Sequence, residues 1–110
     1  DVPFDSIQSL KNALSHLGKP YDYYYLPDDK EIYCSELVQI SYVTDDGKLV
    51  FSTIPMTFRI REGEIPEFWV KHYAKKGVAI PEGEPGTNPG ELSRRKEIKI
   101  IGRLVVPKQR

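Results

Sequence analysis

Ile32-Tyr33-Cys34-Ser35-Glu36-Leu37-Val38-Gln39-Ile40-Ser41-Tyr42-Val43 is the stretch that decides the fold. Val38, Ile40 and Tyr42 alternate with Gln39 and Ser41, a period of two in residues that favour strands. Leu37, Val38, Ser41 and Tyr42 equally form a helical stripe, opened by Ser35 and Glu36 and closed by Asp45-Asp46-Gly47. Periodicity leaves both readings open. The choice matters because the only cysteine of the chain, Cys34, stands at the start of the stretch. At a helix start its sulfur meets the free N–H groups of the first turn, which stabilise a thiolate and donate to a developing oxyanion. Otherwise it is an ordinary small apolar residue.

On the N-terminal side the signals are clearer. Asp5 or Ser6 caps a helix, Gln8 completes an Asp-x-x-Gln capping pattern, and Ile7, Leu10, Leu14 and Leu17 share one face. Gly18 gives the exit and Pro20 forbids continuation, so this helix spans about residues 6–17. His16, near its C-terminal end, reads as a dipole partner. Tyr21-Asp22-Tyr23-Tyr24-Tyr25 follows, either a stacking surface for sugars or bases or rings shared between core and surface. A turn is expected at Pro27-Asp28-Asp29-Lys30.

On the C-terminal side, residues 48–53 read as a strand, with Leu49 and Phe51 on one face. A second helix starts at Pro66 and runs to about Lys75, with Phe68, Trp69 and Tyr73 on its apolar side and Gly77 at its end. His72 lies among these aromatics and reads as structural. Residues 81–90 hold three prolines and three glycines and read as a surface loop. Ile98-Lys99-Ile100-Ile101-Gly102-Arg103-Leu104-Val105-Val106 reads as a closing strand, with a bulge at Gly102.

With 110 residues there is room for one domain and one modest core. Sixteen Lys plus Arg balance sixteen Asp plus Glu, so the many uncompensated cations of a general nucleic-acid binder are missing. The balance is uneven along the chain. Arg94, Arg95, Lys96, Lys99, Arg103, Lys108 and Arg110 face Glu97 alone after Ser93, a solvated basic face or a contact for an anionic partner. No apolar run is long enough to span a bilayer. One cysteine excludes an internal disulfide and any multi-cysteine zinc site, and two histidines 56 positions apart make a poor metal set, so no metal or cofactor is expected. Glycine-rich phosphate loops, Gly-x-Ser-x-Gly elbows and His-Glu-x-x-His helices are missing too. What remains is Cys34, which needs a base within about 3–4 Å and a third group to orient that base.

Gly18-Lys19-Pro20-Tyr21-Asp22, a spacer, and Tyr33-Cys34-Ser35-Glu36-Leu37-Val38 resemble the permuted papain-like amidases of the YaeF/YiiX type, relatives of the NlpC-type cell-wall peptidases. The Pro/Gly-rich residues 80–93 are similar to that family's loop before its last strand. The resemblance covers residues 7–104. It implies an α+β papain-like fold, in which a helix opened by Cys34 packs on a small antiparallel sheet that includes residues 48–53 and 98–106. It also implies that Cys34 is the catalytic nucleophile, forming a thioester with an amide in a peptidoglycan peptide or another small amide or ester. Tyr21 and Asp22 are read as scaffold.

In the family the histidine base and its orienting residue lie on strands ahead of the cysteine. Here only His16 precedes Cys34, and neither His16 nor His72 matches that position. Residues 1–110, which open on Asp rather than Met, are therefore expected to be a single domain that is the C-terminal, nucleophile-bearing half of a longer one. The N-terminal half is expected in cis or as a separate chain. By resemblance the setting is a bacterial cell envelope or periplasm. The competing expectation is a non-catalytic ligand-binding module that keeps the fold.

Overall fold

The computed structural model describes residues 4–27, 30–61, 63–105 and 107; the expected turn residues Asp28 and Asp29 and the terminal cations Lys108 and Arg110 lie outside them. Four helices and one two-stranded antiparallel sheet make an α+β arrangement among these residues. In chain order they are α1 (Ser6–Leu14), α2 (Cys34–Ser41), β1 (Ile54–Pro55), α3 (Glu67–Lys76), β2 (Pro85–Gly86) and α4 (Pro89–Leu92). None is long and apolar enough to cross a membrane.

The stretch around Cys34 is a helix. Its first turn is closed by Glu36, whose carboxylate accepts from the Tyr33 N–H at 3.3 Å, and its ladder starts with Leu37 N–H on the Tyr33 carbonyl. This helix buries polar side chains: Ser35, Gln39 and Ser41 are all buried, while Leu37 and Val38 are only half-buried. Two of these polar groups hold neighbouring segments, while the Ser41 hydroxyl is buried without a partner among the described residues. Gln39 donates to the Phe51 carbonyl at 3.0 Å, and Ser35 accepts from the Thr87 hydroxyl at 2.9 Å. Burial of the Gln39 and Ser35 groups is tolerated because they are paired.

The first helix starts as its sequence predicts, with Asp5 accepting from the Gln8 N–H at 2.9 Å, but it closes at Leu14 and continues only as turns. Its orientation overturns the expected core face. Ser9 is buried, whereas Ile7, Leu10, Leu14 and Leu17 are 56–83% exposed. Three hydrogen bonds set this orientation. Asp5 N–H reaches the Val43 carbonyl at 2.8 Å, Ser9 Oγ accepts from Val43 N–H at 3.1 Å, and Asn12 donates to the Ser41 carbonyl at 3.1 Å. They satisfy backbone groups at the C-terminal end of α2, which turns the polar side of α1 inward.

The core is aromatic. Tyr73 of α3 is 1% exposed, and its hydroxyl donates to the Tyr24 carbonyl at 2.7 Å. Phe58 packs edge-on to Tyr73 and Trp69 at 5.6 and 5.1 Å. As expected, α3 follows Pro66 and ends at Gly77, whose left-handed backbone (φ +74°) makes the cap.

The sheet lies where the sequence does not put it. Residues 48–53 make only an isolated bridge, Val43 to Leu49, before Phe51 turns into the core. The described part of 98–106 joins no ladder, and Ile100, Ile101, Leu104 and Val105 are 71–96% exposed. A strand exists only against a partner backbone, and these residues have none among the described ones. The ladder that forms pairs Ile54 with Gly86 and Pro55 with Pro85, so one of its strands lies inside the segment expected to be loop. Gly86 permits the close approach: a Cβ there would strike Met56 Sδ and lie 3.0 Å from the Tyr33 hydroxyl.

Candidate active site

Cys34 is the first residue of α2 and is exposed. Its position at the positive end of the helix dipole follows from the extended backbone of Tyr33 (φ −108°, ψ 164°), which brings the chain into the helix. The buried Tyr33 ring fixes that entry, because its hydroxyl accepts from the Thr87 N–H at 3.2 Å. Burial pushes the Tyr33 phenol above its ordinary range, with the Thr87 amide pulling it back.

Beside the thiol runs a groove of about 460 Å³. Its walls include Tyr25, Tyr33 and Trp69 together with the run Met56, Thr57, Phe58, Arg59 and Ile60. Thr87, Asn88 and Pro89 close the end nearest α4. Tyr25 reaches the wall through a left-handed backbone (φ +52°), a conformation that costs a non-glycine residue about 1–2 kcal/mol. Its ring meets those of Tyr33 and Trp69 at 5.1 and 6.1 Å. The groove is thus chiefly apolar, with Arg59 as its cation.

Tyr21, read from the sequence as scaffold, stands at the thiol itself. Burial first, then the Cys34 thiol and the Tyr25 phenol, push its hydroxyl above the ordinary range, while a hydrogen bond from the Cys34 backbone N–H opposes them. Nothing in its neighbourhood in the sequence signals this contact. It depends on the bridge between Tyr21 and Ile32, which lays the two segments side by side. Asp22 does serve as scaffold: it is buried, and its carboxylate accepts from the Tyr24 N–H at 3.0 Å.

The histidines are placed elsewhere. His72 Nε2 meets the Tyr23 carbonyl at 2.7 Å, and its ring stacks on Tyr24 at 4.6 Å. His16 belongs to the turns after α1. Neither lines the groove, and no Asp or Glu is among the described residues that do. Nor do three or more His, Cys, Asp or Glu side chains gather as a metal set among the described residues. The arrangement offers a nucleophile, first-turn amides and a phenol next to an apolar groove. It supplies no imidazole there.

A family model described as permuted papain-like amidase enzyme, YaeF/YiiX, C92 family, matches residues 6–102. No curated protein and no solved structure matches the chain.

Proposed function

The chain belongs to the permuted papain-like amidase family, and from that membership we propose that Cys34 is the nucleophile of a cysteine hydrolase acting on amide bonds. The observation that carries this reading is the exposed thiol at the first position of α2, opening onto the groove. The sulfur attacks the amide carbonyl, the C–N bond breaks as the amine leaves with a proton, and water then releases the acid from the thioester. First-turn amides of α2, with the Tyr21 hydroxyl beside them, are suited to carry the oxyanion's charge. Peptidoglycan peptides and other small amides or esters are the proposed substrates.

The proton steps need a base that the groove-lining residues do not provide. We assign the base to an N-terminal half, in cis or on another polypeptide. The uncovered apolar stripe of α1 and the unladdered residues 98–105 are the surfaces such a half would bury. The same lack of a base favours a second reading, a ligand-binding module without turnover. Trapping separates them. The complete protein, incubated with an amide substrate and quenched in acid, is expected to carry the acyl mass on the peptide containing Cys34. Acyl mass on another residue, or product release with an alkylated Cys34, would overturn the first reading.

A further inference from the structure

We infer that Glu82 is a positioning residue that sets the shape of the groove wall formed by residues 56–60, and thereby which acyl groups the groove beside Cys34 accepts. The inference rests on the reading of this groove as the substrate site. The wall in question is the run Met56 to Ile60, whose backbone pairs with other backbone at its two ends. At one end Ile60 N–H reaches the Glu64 carbonyl at 2.8 Å. At the other, Met56 N–H reaches the Glu84 carbonyl at 2.8 Å, and Gly83 N–H returns to the Met56 carbonyl at 2.7 Å. There the opposing chain turns away, through the left-handed Gly83 (φ +81°), and no backbone acceptor is left for the next rung.

The Glu82 carboxylate takes that rung. Oε1 accepts the Phe58 N–H at 2.7 Å, the Thr57 hydroxyl also donates to this carboxylate, and Arg59 Nε stands 3.8 Å from Oε2. The Thr57 hydroxyl in turn accepts from the Arg59 N–H at 3.2 Å. One side chain therefore anchors three successive groove residues. Its charge is well matched to the task, since the Phe58 amide, then the Thr57 hydroxyl, hold the carboxyl below its ordinary range. Phe58 joins wall and core: its ring packs on Trp69 and Tyr73, and the residue also lines the groove. Freeing the Phe58 amide lets the wall move relative to Trp69, so the width available to an apolar group changes.

Alkylation of the single cysteine reads that width directly. Iodoacetamide and N-benzyliodoacetamide are compared by the rates at which each adds its mass to the intact chain, and the ratio of the two divides out changes in the thiol itself. Glu82→Ala is expected to lower the benzyl-to-small ratio about fivefold, the scale of one lost apolar contact. Glu82→Gln, which keeps an oxygen acceptor for the Phe58 amide, is expected to stay within about twofold of wild type. Thr57→Val, which removes one donor without removing bulk, is expected to lower the ratio about twofold, and it serves if Glu82→Ala does not fold. A ratio unchanged in both Glu82→Ala and Thr57→Val overturns the inference, as does a Glu82→Gln ratio that falls as far as that of alanine. Alkylation requires no base and no turnover, so a protein that hydrolyses nothing leaves this result standing.

Discussion

Cys34→Ala is expected to lower turnover by the complete protein by on the order of 10⁵-fold or more, the scale on which an enzyme loses rate with its nucleophile. Stability should hardly respond. The side chain is exposed, and replacing its sulfur opens no enclosed cavity, so the cost stays below about 0.5 kcal/mol. In a chain of this size that corresponds to a melting temperature lowered by no more than about 2–4 °C. The split between an abolished rate and a preserved melt distinguishes a chemical role from a packing one. Steady-state assay and thermal denaturation of the same preparation check it. Activity retained within tenfold would show that the thiol is not the nucleophile.

Tyr73→Ala is expected to do the opposite, removing structure before chemistry. Tyr73 is the most buried large side chain among the described residues, and its ring meets those of Tyr24, Phe58 and His72 at 5.6, 5.6 and 5.4 Å. Burial of the ring raises the phenol well above its ordinary range, so the hydroxyl stays protonated and donates to the Tyr24 carbonyl throughout the physiological range. Truncation to alanine leaves a cavity and an unpaired carbonyl, together costing about 3–5 kcal/mol. Tyr73→Phe keeps the ring and loses only the hydrogen bond, about 1 kcal/mol. Urea denaturation of both variants measures the two contributions. A Tyr73→Ala loss below about 1 kcal/mol would show that α3 is not anchored through this side chain.

How much of this was legible in the sequence varies with the origin of each element. The starts of α1 and α3 are local events, written in Asp5 with Gln8 and in Pro66, and the end of α3 is written in Gly77. The α2 helix is not local. Its buried face is Ser35, Gln39 and Ser41, whose partners include Thr87 and Phe51, so no apolar period announces it. The resemblance carried by the residues around Cys34 implied the helix where the pattern left it open.

The sheet was misplaced for a related reason. Residues 48–53 and 98–106 have the β-branched and aromatic composition of strands, but composition does not supply a partner. Pro55 and Pro85, which argue against a strand, are tolerated because the ladder is two residues long and each proline ends its strand or begins it. Half of the groove comes from this region, which is why Glu82 and the wall it holds had no signal in the sequence. Tyr21 was visible as one ring in a cluster and as part of the motif ahead of Cys34, where it is read as scaffold. Its contact with Cys34 arises from pairing across the segment between them.

Turnover of an aryl amide by purified residues 1–110 is the most direct measurement of whether Cys34 lacks a base of its own. The expected result is no product above the uncatalysed rate, from a chain whose Cys34 still takes up one equivalent of iodoacetamide. Product formation that disappears in Cys34→Ala would contradict it, and would place the base within this chain.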